Sequence, residues 1–209
     1  QEATSIICRL RTHPCIVLWC GGNELFNGWS GMDDQSLPLR LLNSLCYQLD
    51  SKTPFLMTSP LTGMGHGGYS FRHEEKDVFQ YFNNAHFTAY TEFGVPSITD
   101  EESLSKIIPK GELYPIKKTD SWVYHNGFGA WGEEAWCFLN TLNYYFGEAK
   151  SLKEYCENSE WLQSAGYQAI FEESRRQWPY CSMALNWCYN EPWINAANNC
   201  LITYPSKLK

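Results

Sequence analysis

The sequence predicts an α/β fold built on a parallel sheet, and three observations carry that expectation. Short apolar runs bounded by Gly or Pro alternate with segments whose apolar residues recur at helical spacing. Three of the runs end in a polar cluster that includes a carboxylate: Asn23-Glu24, Glu92 and Asn190-Glu191. Parallel α/β proteins gather their function at such strand ends. Finally, 209 residues that are 44% hydrophobic suffice for one core. No repeat, low-complexity stretch or Gly/Ser linker interrupts them, so residues 1–209 read as one domain.

Residues 2–12 read as a helix that stops before His13-Pro14. The run at 16–19 is apolar throughout and is followed by Gly21-Gly22, as in a strand buried on both faces. Residues 36–49 (SLPLRLLNSLCYQL) carry the helical period behind Ser36, with Pro38 in the first turn. A buried strand follows at 55–58, stopped by Pro60. Beyond a Gly-rich loop come a weak strand at 66–71 and a helix near 74–82. A strand at 86–91 is closed by Gly94 and Pro96. Helices are expected at 100–107, 133–146 and most of 159–177, and the last clear strand at 183–187.

Composition removes several classes of function. The chain has 16 basic and 23 acidic residues, a net charge of -7, and no basic run. Phosphate backbones and anionic bilayers both call for clustered Lys and Arg, so neither nucleic acid nor membrane is an expected partner. No apolar run approaches the roughly 18 residues of a membrane-spanning helix. The nine cysteines are an odd number with no C-x-x-C spacing. Cys15, Cys20, Cys181 and Cys188 lie in or beside apolar runs and read as small buried hydrophobes rather than zinc ligands. There is no Asn-x-Ser/Thr site, and the compartment stays open. The aromatic share of 16% points to a large core or to a surface that stacks flat apolar faces such as sugar rings.

Three constellations carry chemistry. In W-C-G-G-N-E (19–24), Glu24 follows a buried strand and two glycines, which presents it to a cleft; the alternative is a cap on the next helix. In A-Y-T-E-F-G (89–94), Glu92 ends a strand between aromatics; the alternative is a strand-end salt bridge. Two carboxylates facing one cleft are the minimum equipment for glycoside hydrolysis, one protonating the leaving oxygen while the other attacks or activates water. In N-W-C-Y-N-E-P-W (186–193), Trp187 offers a flat face to a sugar or fills the core, an ambiguity shared by Trp19, Trp122, Trp131 and Trp193. The G-x-G-x-x-G pattern at 63–68 lacks the helix start that a dinucleotide site needs at its third Gly, so it reads as a loop. His66, His86 and His125 are isolated; each reads as a structural histidine, with His66 on a loop able to reach substrate.

These residues together resemble glycoside hydrolase family 2, and its β-mannosidase-like members in particular. R-T-H-P-C-I-V-L-W-C-G-G-N-E (11–24) is similar to the family's acid/base segment, which closes the fourth strand of a (β/α)8 barrel. Y-T-E-F-G (90–94) resembles its nucleophile segment at the seventh strand, and 175–193 its last helix and eighth strand. The resemblance implies that Glu24 is the general acid/base and Glu92 the nucleophile of a retaining mechanism. It implies that Asn23 binds the 2-hydroxyl, that Trp19 and Trp187 line the terminal-sugar subsite, and that Tyr90 sits beside the nucleophile. Asn190 and Glu191 join the sugar subsite, where the β-mannosidases carry Asn-Asp instead. No cofactor is implied, and no metal-ligand pattern supports a metal. The glucuronidase-type Asn-x-Lys signature is absent, which counts against uronic acids.

A complete barrel takes about 250 residues. The resemblance therefore implies an incomplete (β/α)8 TIM barrel, strands four to eight with their helices: the C-terminal portion of the catalytic domain. The first three strands and N-terminal β-sandwich domains would belong to the parent chain, for which a periplasmic or extracellular location is favoured. An open sheet edge would invite pairing with a second copy. The resulting reading is a retaining exo-β-glycosidase that hydrolyses terminal β-linked sugars, with β-mannosides favoured and an oligosaccharide or glycoside as partner. A β-galactosidase-like enzyme and a non-hydrolytic carbohydrate-binding fragment are the alternatives.

Overall fold

A computed structural model describes residues 1–73, 75–129, 136–191 and 193–198. The architecture is α/β with parallel strand pairing, and the chain divides into two compact units, Gln1–Met64 and Gly65–Lys209.

In the first unit, helix α1 (Glu2–Leu10) contains no Gly or Pro and places Glu2 and Arg9 where each complements the helix dipole. Strand β1 (Trp19–Cys20) is followed by helix α2 (Leu37–Leu49), with Ser36 at its N-cap position and Pro38 in the first turn, and by β2 (Phe55–Leu56). β1 and β2 pair in parallel, Trp19 opposite Phe55 and Cys20 opposite Leu56. A parallel pair requires a crossover, and α2 supplies it. A further parallel bridge joins Asn23 to Ser59.

The expected burial of the 16–19 run is not found. Val17 is 70% exposed, and Cys15 and Cys20 are exposed as well. Among the described residues β1 pairs only with β2, and the buried apolar side chains of this unit are Ile7, Leu39 and Cys46. An apolar run records a tendency to be covered; it does not supply the cover.

The second unit holds the main core. Strands β3 (Met64–His66), β6 (Ala89–Phe93) and β8 (Ala184–Asn186) form a sheet with β6 in the centre. Between β3 and β6 lie the short hairpin of β4 (Arg72–His73) and β5 (Lys76–Asp77), then helix α3 (Val78–Asn84). Asp77 and Gln80 close α3 with a reciprocal capping box. β7 (Ser97–Ile98) pairs antiparallel with β9 (Ala197–Asn198). Helices α4 (Glu101–Ile107), α5 (Asp120–Tyr124) and α6 (Leu139–Phe146) lead to α7 (Leu152–Arg176). The helix expected at 133–146 begins in the structure at Leu139; residues 130–135, Trp131 among them, lie outside the described residues.

Helix α7 is 25 residues long, starting earlier than its apolar pattern suggests. The Ser151 side chain caps it by accepting from the Glu154 N–H, and Arg175 and Arg176 occupy its last turn. It packs closely on the chain just past β6. A Cβ placed on Gly166 would lie 2.5 Å from Val95 Cγ2, so only Gly allows this approach. Phe93, Val95, Ile98, Leu104, Trp122 and Ile170 are fully enclosed around this contact. Cys181 is buried as expected, and Cys188 is half-buried. No described helix is long and apolar enough to cross a membrane.

Candidate active site

In the first unit, Asn23 and Glu24 stand just beyond the paired residues of β1. The Glu24 N–H donates to the Ser59 carbonyl at 2.7 Å, and its own carbonyl accepts from the Asn27 amide. Glu24 is half-buried and has φ of 52°, the left-handed region that side-chain-bearing residues avoid at a cost of roughly 1–2 kcal/mol. The helix-cap alternative fails, because the next helix begins only at Leu37. Asn23 is exposed.

Trp19 stands at the other end of this strand pair. Its indole N–H donates to Asp50 Oδ2 at 2.9 Å, and Asp50 lies at the C-cap of α2, ahead of β2. This hydrogen bond is the main cause holding the Asp50 carboxyl below the usual carboxylate range. Trp19 therefore anchors the start of the pair, while Asn23 lies four and Glu24 five residues further along the chain.

In the second unit, Glu92 stands near the end of β6. Its Oε2 accepts from the Tyr69 hydroxyl at 2.6 Å and lies 3.1 Å from His66 Nε2. His66 is the last residue of β3, and its side chain is 6% exposed. It therefore belongs to a strand and not to the loop expected for it, and its side chain lies buried beside Glu92. Its Nδ1 lies 3.2 Å from Thr91 Oγ1. Tyr69 packs against Trp187 at 5.1 Å between ring centroids, and Trp187 against Trp136 at 5.6 Å. Trp187 is thus joined to Glu92 through Tyr69, in an aromatic wall that is partly exposed.

Tyr90 does not flank this carboxylate. It is 1% exposed, its ring packs on Phe82 and Phe87, and its hydroxyl accepts from Gln177. Burial pushes its phenol above the ordinary value. The cause is a bulge: Tyr90 faces Ala184 and Phe93 faces Asn186, three steps along β6 against two along β8. The bulge breaks the alternation by which Tyr90 would share a face with Glu92.

The strand-8 cluster divides in the same way. Asn190 is exposed, whereas Glu191 is buried. Glu191 accepts from the Asn195 backbone N–H at 3.3 Å, from the Asn195 side-chain amide and from Asn198 Nδ2 at 3.0 Å. Asn195 in turn is tied to Asn126 and Thr99. Glu191 thus anchors the segment leading into β9. The G-x-G-x-x-G stretch is not the loop it was expected to be, since Met64–His66 within it form β3; the helix start that a dinucleotide site needs does not follow it, the next described helix beginning at Val78.

Sequence reasoning missed Tyr69, Thr91 and Trp136. Tyr69 and Thr91 carry no motif of their own, and their roles follow from strand register. Trp136 follows a stretch outside the described residues.

No family model matches the chain. It is 25% identical over 231 residues to β-mannosidase B of Thermothelomyces thermophilus, covering 92% of this chain and 26% of that protein. The crystal structure of a β-D-mannosidase from Dictyoglomus thermophilum superposes with a TM-score of 0.83 at 26% identity, over all of this chain and 27% of that one. An Amycolatopsis orientalis exo-chitosanase, solved in complex with PNP-β-D-glucosamine, shares the fold with a TM-score of 0.71 at 17% identity, over 97% of this chain and 25% of that one. The chain therefore spans about a quarter of the length of these relatives. In sequence over 92% of its length and in fold over all of it, the chain is similar to β-mannosidases.

Proposed function

We propose that this chain is the C-terminal portion of the catalytic barrel of a retaining exo-β-glycosidase acting on terminal β-mannosides. Strands β1, β2, β3, β6 and β8 correspond in this reading to strands four to eight of a (β/α)8 barrel. The parallel pairing of β1 with β2 and of β6 with β8 supports it, as does the similarity to β-mannosidases.

In the proposed reaction Glu92 Oε1 attacks the anomeric carbon. The bond to the leaving oxygen breaks as Glu24 passes its proton to that oxygen. Glu24, now a carboxylate, takes a proton from water. The water oxygen attacks the same carbon, and the Glu92 carboxylate leaves. Two inversions at one carbon give net retention.

The observation that carries the proposal is the seat of Glu92. Tyr69 and His66 both engage Oε2. The Tyr69 hydroxyl donates to this oxygen and the His66 ring stands beside it, which orients the group and leaves Oε1 as the oxygen neither of them engages. The Trp187 ring beside Tyr69 supplies an apolar face suited to sugar C–H groups.

The test uses the full-length protein that contains this chain, assayed on 4-nitrophenyl β-D-mannoside with the anomer of the first-formed product read by NMR. The β-anomer is expected, and Glu92→Gln should remove turnover. Near-normal activity of that variant would overturn the nucleophile assignment. Glu24→Ala should spare this activated substrate far more than a natural mannoside, because a good leaving group needs no proton. Equal losses on both would overturn the acid role.

A further inference from the structure

We propose that Thr91 is a positioning residue for the nucleophile, acting through His66; the inference rests on the reading of Glu92 above. Thr91 and Glu92 are consecutive, and in a regular strand their side chains would point to opposite faces. Here both reach the same imidazole, Thr91 Oγ1 at Nδ1 and Glu92 Oε2 at Nε2. The bulge between Tyr90 and Phe93 accommodates this departure from alternation.

Counting protons then fixes who donates. Thr91 Oγ1 lies 3.3 Å from the Gly65 carbonyl oxygen, which can only accept. The single hydroxyl proton of Thr91 is therefore committed to Gly65, and toward His66 the Thr91 oxygen acts as acceptor. His66 Nδ1 must carry a proton to make that bond. His66 Nε2, at the other end of the ring, lies 3.1 Å from Glu92 Oε2, the oxygen that accepts from Tyr69. The chain of donation runs from His66 Nδ1 to Thr91 and from Thr91 to Gly65. The ring is thereby held with its Nε2 edge beside Oε2.

Thr91 is buried, so water cannot readily replace its oxygen. Removing the hydroxyl takes away the acceptor for Nδ1. The ring is then free to turn about its side-chain torsions, and its Nε2 edge no longer keeps its place beside Oε2. The methyl group and the branched shape play no part in this argument. Serine should therefore serve in place of threonine, and valine should not.

The experiment measures covalent labelling of the full-length protein by 2-deoxy-2-fluoro-β-D-mannosyl fluoride, with intact mass for the rate and peptide mapping for the site. The wild type should gain one fluorosugar on Glu92. Thr91→Val should label about 10-fold more slowly, the loss expected for one buried hydrogen bond that positions the nucleophile. Its KM for 4-nitrophenyl β-D-mannoside should change much less than its kcat. Thr91→Ser should recover a rate close to wild type. If Thr91→Val does not fold, as judged by its melting transition, Thr91→Ala takes its place, since it removes the same oxygen without adding bulk. Labelling of Thr91→Val at the wild-type rate would overturn the inference. So would a Thr91→Ser variant as slow as Thr91→Val, because shape and not the oxygen would then matter. A wild type labelled elsewhere than Glu92 would overturn the nucleophile reading itself, a failure distinguishable from the other two.

Discussion

Replacing Gly166 with Ala sets two effects of known sign against each other. In an open helix the substitution stabilises by about 0.8–1 kcal/mol, because Ala loses less backbone freedom than Gly. In this structure the new Cβ would stand 2.5 Å from Val95 Cγ2 and 3.2 Å from both Val95 Cβ and Cγ1. Ordinary carbon contacts begin near 3.5 Å, so about 1 Å of relief is needed. Neither side can give it cheaply. Val95 is 0% exposed, and Gln163 of α7 holds the Val95 carbonyl at 2.9 Å. The rings of Tyr167 and Phe171 also wedge α7 against Phe93. Overpacking of this kind costs about 1–3 kcal/mol. The clash outweighs the propensity gain, and a net loss of about 1 kcal/mol is expected. Urea denaturation followed by tryptophan fluorescence measures it, and a cycle with Val95→Ala isolates the contact. Removing both γ-carbons should make Gly166→Ala less harmful by about 1 kcal/mol or more. A neutral or stabilised Gly166→Ala, or strict additivity in the cycle, would refute the close approach of α7.

Tyr69→Phe keeps the ring contact with Trp187 but removes the 2.6 Å hydrogen bond to Glu92, so kcat on an aryl β-mannoside in the full-length protein should fall about 10-fold or more with little change in melting temperature. Trp122→Phe leaves the Glu112 carbonyl without its 2.8 Å partner at a fully enclosed site, and denaturation should show a loss of about 2 kcal/mol or more. Trp19→Phe removes the donor that lowers the Asp50 pKa. A lowered carboxyl stabilises the fold above the unfolded value, about 3.9, and loses that contribution as pH falls through the folded value. The gap in denaturation midpoint between wild type and Trp19→Phe should therefore be full near neutrality and narrow toward acid, and a gap independent of pH would contradict the Trp19–Asp50 bond.

Local pattern made part of this protein legible. The helical period over 36–49 and 159–177 identifies α2 and most of α7, because a buried helix face must repeat every three to four residues whatever it packs against. Ends of apolar runs followed by Glu mark 24 and 92 as strand-end carboxylates, and the surrounding residues carry the resemblance that gives those positions a chemistry. The two-residue strands β4, β7 and β9 left no signal, since two residues cannot display a period. Val17 and Cys20 were misjudged because an apolar run does not say which neighbour covers it.

What the sequence determined by itself is therefore the longer helices, the alternation of helices with the main strands, and the two strand-end carboxylates on which the proposal rests. What only the tertiary structure decided is which atoms meet around Glu92. Tyr69 and His66 lie 23 and 26 residues before it in the chain, and both converge on a single oxygen. A one-residue bulge sends Tyr90 into the core and brings Thr91 to His66 beside Glu92. Strand register sets those contacts. It arises from the packing of distant segments against one another, and a shift of one residue exchanges the faces of every side chain that follows, so no local pattern can encode it.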